Sequence, residues 1–398
     1  MRLVHLADLH LGFRQYQRLT PSGINQREAD VAGTVQRAIS QIIALAPDVI
    51  VVGGDVFHSV RPSNPAILHA FRAFSMLRDQ LPETPVIMVA GNHDAPRTSE
   101  TGCILRLFRE IGIHVADAKA ELFTFASRSL AVLAVPDVPG IDRPPLTPPE
   151  GFANTILLMH GEVAGMLAAH ALSADRAAIE IPLAELHAGE WSYVALGHYH
   201  VYREVATRTY YSGSIDYTSS NPWGELREER EQGVRGKGFI EHDLATGAHR
   251  FHSVAPSRPL IDLEPIDASG MGAAELDAAL RARVDTAPGG IEDRVVRATV
   301  RNVARHTVRE LDHVALREYR KRAMNFHLDT RRPDPIVQRR TGEGSPGRRS
   351  TLPELLAERL KERTLPPGME RELLVTTGLR YLQQAEDSAA AAMPVVES

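Results

Sequence analysis

The sequence predicts an α/β fold of two sheets with helices on their flanks, and three observations carry that expectation. Short runs rich in Val, Ile and Leu alternate with stretches of helical spacing in the N-terminal third, the pattern of βαβ units and a largely parallel sheet. More strand-like runs follow between residues 122 and 254, enough for a second sheet packed on the first. Five of the strands end in a polar tip of Asp, Asn or His, at the carboxyl edge where open α/β sheets place their ligands.

Residues 2–7 (RLVHLA) form the first strand and lead into Asp8-Leu9-His10. A strand alternates its side chains, so Asp8 and His10 project to the same side. Residues 27–46 show helical spacing through Val31, Val35, Ile39, Ile42 and Ile43, and Pro47 closes the helix. Val49-Ile50-Val51-Val52 reads as a strand buried on both faces, and Gly53-Gly54 then turns the backbone to deliver Asp55. A lone Gly-Gly-Asp is more simply a helix cap; here four other segments share its design. A second helix over 65–81 has Ile67, Leu68, Phe71, Phe74 and Leu77 on its apolar side. Strand 85–90 (PVIMVA) runs into Gly91-Asn92-His93-Asp94, and a third helix spans 100–111. These two helices have more apolar positions than one buried face needs, with Ile67, Phe71, Leu105 and Phe108 as a surplus stripe.

Two short strands at 122–126 and 130–135 precede a proline-rich loop, 136–149. Strand 155–159 ends at His160-Gly161, and strand 192–196 ends at Gly197-His198-Tyr199-His200. Residues 201–254 read as strands (YREVA, TYYSGS, KGFIEHDL, HRFHSV) of the second sheet. After Pro256 the pattern becomes that of a small α+β domain: strands at 260–266, 295–300 and 325–328 around helices at 273–284 and 308–321. Residues 331–350 hold six arginines among Pro, Gly and Ser, which reads as a flexible basic linker. Amphipathic helices at 352–363 and 369–384 follow, then an alanine-rich tail expected to be disordered. The expected domains are therefore 1–255, 256–330, a linker at 331–351 and a helical region at 352–398.

At 398 residues and 43% hydrophobic, the chain can bury two or three cores. There is no run of 18 apolar residues and no secretory leader, so neither a membrane span nor export is expected. The single cysteine, Cys103, excludes an intrachain disulfide and fits a reducing cytoplasm. Net charge is −5, yet residues 294–349 carry 15 Lys+Arg against 6 Asp+Glu. A basic segment on an otherwise acidic protein suits a polyanionic partner, although a solvated helix face and tail would look the same.

Collected, the strand-end residues are Asp8, His10, Asp55, Asn92, His160, His198 and His200. Two carboxylates, an amide and four imidazoles can hold two divalent cations with Asp55 bridging. Asp8, His10 and His200 complete one cation, and Asn92, His160 and His198 the other. A metal pair of this kind clamps the attacking and leaving oxygens of a phosphate displacement. Oxygen and nitrogen donors without thiolate suit Mn²⁺, Fe or Zn²⁺. Two further motif histidines, His58 and His93, are not needed as ligands. His93 is placed to reach a scissile phosphate, with Asp94 fixing its tautomer. The other eleven of the 17 histidines, such as His5, His69 and His249, show no clustering and read as packing or surface residues.

The ordered set Asp-x-His, Gly-Gly-Asp, Gly-Asn-His-Asp, His-Gly and Gly-His-x-His resembles the calcineurin-like metallophosphoesterase superfamily. Within it, Ala7-Asp8-Leu9-His10-Leu11-Gly12, Gly54-Asp55-Val56-Phe57-His58-Ser59-Val60-Arg61-Pro62-Ser63, Gly91-Asn92-His93-Asp94 and Tyr211-Ser212-Gly213-Ser214 resemble SbcD-type nucleases of double-strand-break repair. That resemblance implies an α/β two-sheet metallophosphoesterase sandwich flanked by helices, with a small α+β DNA-capping domain and C-terminal helices. It further implies Mn²⁺, DNA as substrate, His58 as the residue that orients DNA for exonuclease cutting, a homodimer, and an SbcC-type SMC-like ATPase docked on the C-terminal helices. The implied activity is 3′→5′ on duplex ends and endonucleolytic on single strands or hairpins. A cyclic-nucleotide-type phosphodiesterase would need the same seven ligands but would leave His58 and the basic domain without a purpose.

Overall fold

The computed structural model describes residues 1–96, 102–141, 143–166, 177–333, 352–362 and 371–391. The first sheet is built on β1 (Arg2–Leu6), β2 (Val49–Val52), β3 (Val86–Val89) and β4 (His114–Ala116), which pair in parallel. Helices α1 (Gln26–Leu45) and α2 (Asn64–Gln80) make the first two crossovers. Asn25 caps α1, and Ser63 with Pro65 opens α2, as N-terminal signals do.

The second sheet contains β5 (Glu121–Phe125), β6 (Leu130–Val135), β7 (Asn154–His160), β10 (Tyr193–Gly197), β11 (Arg203–Ala206) and β12 (Thr209–Tyr211). Its order is β11-β12-β10-β7-β6-β5, and a two-stranded pair, β8 (Glu162–Val163) with β9 (Glu180–Ile181), stands apart. Each inner strand is buried on both faces and splits its residues by the period of two. Val49 and Val51 meet Val132, Ile156 and Ala195 of the other sheet, while Ile50 and Val52 pack under α1 and α2.

Three expectations for this part change. The stretch 201–254 is not one run of second-sheet strands: α3 (Pro222–Glu231) interrupts it. The strands after α3, β13 (Gly238–Asp243) and β14 (His249–Ser253), return to the first sheet beside β1. The described part of 100–111 is a run of 3₁₀ turns at Ile104–Ile111, in which Leu105 and Phe108 are fully buried. They pack with Phe57 and Phe74 in the core beneath α2, so they form no surplus stripe; Ile67 and Phe71 are half-buried and Leu68 is exposed. Finally, His5 and His249 do cluster: with His242, Tyr193, Tyr202 and Tyr210 they make an aromatic layer between the sheets.

The small α+β layer is a three-stranded parallel sheet of β15 (Leu260–Asp267), β16 (Val295–Arg301) and β17 (Asn325–Thr330). Crossovers α4 (Ala273–Asp285), α5 (Arg305–Arg309) and α6 (His313–Arg322) cover it and share its apolar core. It belongs to one compact unit, Met1–Asp334, with the rest of the sandwich. Arg258 forks onto buried Asp30 of α1 at 2.7 and 3.2 Å, and Arg297 lies over the Trp223 ring of α3 at 4.8 Å.

Pro335–Ser398 is a second unit, in which α7 (Leu352–Glu362) and α8 (Arg371–Ala391) are described. The basic linker expected at 331–351 lies, from 334 on, outside the described residues. The alanine-rich run expected to be disordered instead extends α8 to Ala391, as the high helix propensity of alanine favours. Among the described residues no helix is long and apolar enough to cross a membrane.

Candidate metal centre

Five strand ends converge at one edge of the sandwich. Asp8 and His10 follow β1, Asp55 follows β2, Asn92 follows β3, His160 closes β7, and His198 and His200 follow β10. Backbone bonds stitch the turns together: Asp8 N donates to Gly54 O at 3.0 Å and His10 N to Asp55 O at 2.9 Å. Side chains finish the lattice, with His198 N donating to both Asp8 carboxylate oxygens and His93 N to Asp55 Oδ1.

The backbone here is strained. Asp8, His10, Asp55 and His198 have φ of 54°, 44°, 50° and 104°, in the left-handed region that non-glycine residues avoid. Each such residue costs about 1–3 kcal/mol and persists only where its surroundings hold it, a pattern concentrated at functional sites. Gly54 (φ 92°) has no alternative, because a Cβ there would stand 2.5 Å from His160 Nδ1.

The donor atoms of Asp8, His10 and His200 lie within 4.8 Å of one another, as do those of Asp55, His160 and His198. Asp55 Oδ2 stands between the two groups, 3.7 Å from His10 Nε2 and 3.6 Å from His160 Nε2. Asn92 Oδ1 lies 3.0 Å from His160 Nε2 and 3.2 Å from His198 Nδ1. Donors at about 2 Å from a common cation stand roughly 3–3.5 Å apart, so the Asn92 spacings suit donors to one cation and the Asp55 spacings are slightly longer.

The proton arrangement points the same way. His160 Nδ1 donates to Gly53 O at 2.7 Å, which leaves the Nε2 lone pair facing Asn92 Oδ1. His200 Nδ1 faces Glu225 Oε1 at 3.4 Å, and its Nε2 stands 3.0 Å from His10 Nε2. A divalent cation placed among these atoms would take a lone pair from each of them. The donor set therefore fits divalent metal, and imidazoles held by outer carbonyls and carboxylates are the usual design.

Electrostatics agree. Burial, and then the charge of Asp55, pushes the Asp8 carboxyl well above its usual range. Burial also opposes ionisation of Asp55, but the His160 and His93 rings and the His93 N–H outweigh it and hold that carboxyl low. Burial drives His10 and His160 down, keeping both imidazoles in the neutral form that binds metal.

His58 and His93 border the cluster, each ring near His10, with centroid distances of 5.3 and 4.9 Å, and stack on each other. His58 Nδ1 lies 3.3 Å from His10 Nδ1. Asp94 is not what sets the His93 tautomer. His93 Nδ1 donates to the His58 carbonyl at 2.8 Å, whereas Asp94 accepts from the backbone N–H of Val56, Phe57 and Gly91. Asp94 thus ties the loop after β2 to the loop after β3; burial and the nearby Asp55 push its carboxyl up to about 7.

Sequence reading missed the outer layer. Glu162 Oε1 sits 3.3 Å from His198 Nε2, Glu225 faces His200, and buried Lys237 pairs with Glu225. Two of these three lie in or just beyond α3, whose inward face is made of Glu225, Glu228 and Glu229 rather than apolar residues. The available signals were Asn221-Pro222 as a helix start and glutamates at i, i+3 and i+4.

A model of the calcineurin-like phosphoesterase family matches residues 1–202. The DNA double-strand break repair protein Mre11 of Methanocaldococcus jannaschii is 26% identical over 261 residues, which cover 62% of this chain and 63% of that protein. Its namesake in Methanococcus maripaludis is 25% identical over 260 residues, with the same two coverages, 62% and 63%. The Mre11 protein of Sulfolobus acidocaldarius is 34% identical over 113 residues, 28% of either chain. The chain thus spans 63% of the length of the first two relatives.

Proposed function

This chain belongs to the calcineurin-like phosphoesterase family, and from that premise we propose that it is a two-metal DNA phosphodiesterase that processes broken DNA ends. The observation that carries the reading is the gathering of the seven donors into two adjoining groups, with Asp55 Oδ2 within 3.7 Å of His10 in one and 3.6 Å of His160 in the other, beside two imidazoles that are not needed as ligands. Relatives named for double-strand break repair support DNA as the substrate.

Asp8, His10, Asp55 and His200 would hold one cation and Asp55, Asn92, His160 and His198 the other, with Mn²⁺ the proposed metal. Bound there, the two ions supply Lewis-acid neutralisation of phosphate charge and ionise water near neutral pH. The residues do the rest. The left-handed turns at Asp8 and Asp55 keep the carboxylates converged before any ligand arrives. His93, its Nδ1 proton committed to the His58 carbonyl, presents Nε2 as the nitrogen that stabilises the transition state or hands a proton to the leaving oxygen. His58 stacks on that ring and serves to align duplex DNA.

The proposed polarity is 3′→5′ on duplex, with endonuclease action on single strands and hairpins, in the cytoplasm where DNA resides. The outer face of α2, with Ile67, Leu68 and Phe71, is the proposed contact of a homodimer, and the region of α7 and α8 that of an SbcC-type ATPase. The test uses purified protein with Mn²⁺, an end-labelled duplex and bis-p-nitrophenyl phosphate. The wild type should cut both, and Asp55→Asn neither. His93→Leu should lose about 10²–10⁴ in rate on DNA with both metals still bound. His58→Ala should lose far more on duplex than on the small ester. Cleavage of the small ester alone would overturn the DNA assignment, and equal losses in His58→Ala would remove its role in alignment.

A further inference from the structure

Lys237 is a buried lysine in a place that the chemistry above does not explain. It follows α3 and leads into β13, with 2% of its surface exposed. Its ammonium donates to the carbonyl of His200 at 2.7 Å and pairs with Glu225 Oε2 at 2.5 Å and Glu229 Oε1 at 3.0 Å. It also lies over the Tyr217 ring, 4.7 Å from the centroid. Burying a lysine and two glutamates is costly, and removing one member of such a set strands the rest.

The two glutamates face different neighbours. Glu229 Oε2 accepts from Tyr217 Oη at 2.6 Å, a contact within the scaffold. Glu225 sends its other oxygen, Oε1, to within 3.4 Å of His200 Nδ1. Both atoms are buried, and among the described residues neither has a hydrogen-bond partner closer than this approach. One lysine thus grips the His200 backbone through its carbonyl and the His200 ring through Glu225. Both constraints act on the imidazole whose Nε2 stands 3.0 Å from His10 Nε2.

We propose that Glu225, braced by Lys237, is a positioning residue that holds the His200 imidazole in the tautomer and orientation needed to ligate a cation. The proposal rests on the reading of Asp8, His10 and His200 as ligands. A carboxylate on the far nitrogen of a ligating histidine fixes which nitrogen carries the proton and raises the basicity of the other.

The test titrates metal-free full-length protein with Mn²⁺ by calorimetry, records the Mn²⁺ electron paramagnetic resonance spectrum, and melts the metal-free form. Glu225→Ala should lower the affinity for one of two ions by about 10–100-fold. Its spectrum should change from that of a spin-coupled pair toward that of an isolated ion. Glu225→Gln, which keeps an oxygen to accept the His200 Nδ1 proton, should recover most of that affinity. Glu229→Ala strips the same lysine of a partner, so it should lower the melting temperature of the metal-free form comparably, yet leave both ions bound as in the wild type. Wild-type affinity in Glu225→Ala, or an equal loss in Glu229→Ala, would overturn the positioning role while leaving the proposed function intact. A wild-type protein that takes up no Mn²⁺ would overturn both.

Discussion

His5 illustrates how a single buried residue ties stability to pH. It sits in β1 with no exposed surface, its Nδ1 3.2 Å from Tyr193 Oη. Burial pushes its pKa down to about 3. The folded ring therefore stays neutral at pH values where the unfolded one, near pKa 6.5, takes a proton. Unfolding binds protons in that window, so the contribution is fully present above about pH 6.5 and is lost as pH falls toward 3, at up to about 1.4 kcal/mol per unit. His5→Gln keeps a group able to pair with Tyr193 and removes the titration. Urea melts of metal-free protein between pH 6.5 and 4.5 should show the variant losing about 2 kcal/mol less than the wild type. Parallel slopes would show that His5 does not titrate with unfolding.

At the scale of elements, the 3₁₀ segment Ile104–Ile111 and α3 each depart from hydrophobic periodicity in opposite ways. The 3₁₀ segment is short and apolar, and Gly112 (φ 76°) ends it, so Leu105 and Phe108 can plug the core rather than present a stripe. Phe108 meets Phe74 edge-on at 5.1 Å and lies parallel to Phe57 at 6.2 Å. Leu105→Ala should therefore cost about 2–5 kcal/mol in urea denaturation, independent of protein concentration. A loss of stability that shrinks on dilution would instead place Leu105 at a contact between copies. In α3 the buried face is glutamate, with Lys237, Tyr199, Tyr217 and Gln232 as its polar partners. A search for apolar positions at helical spacing passes over such a helix.

For the whole molecule, every hydrophobic core among the described residues is built within Met1–Asp334. Within that unit the small sheet is held by charge. Arg258 takes the Asp30 carboxylate in two bonds, and Arg18 reaches Asp293 at 2.8 Å. A chain ended at Asp334 should keep the wild-type melting temperature within about 2 °C and its Mn²⁺ stoichiometry, since it loses no core residue. A fall of more than about 5 °C, on the order of 3–4 kcal/mol for a domain of this size, would show that the C-terminal unit supports the first.

The sequence by itself determined the strands and their polar ends. Buried parallel strands read as unbroken Val and Ile runs, and the residue following such a run must lie at the sheet edge. Asp8, His10, Asp55, Asn92, His160, His198 and His200 were legible as strand ends for that reason, although they span 193 positions of the chain. Only the tertiary structure decided what contacts made across the chain control. It returned β13 and β14 to the first sheet, because strand pairing is chosen by the neighbour available and not by the strand's own residues. It put the His58 carbonyl rather than Asp94 on His93, because a neighbour in sequence need not face the ring. It also brought Glu162, Glu225 and Lys237 behind His198 and His200, since a buried charge is recognised by its partner and that partner lies elsewhere in the chain.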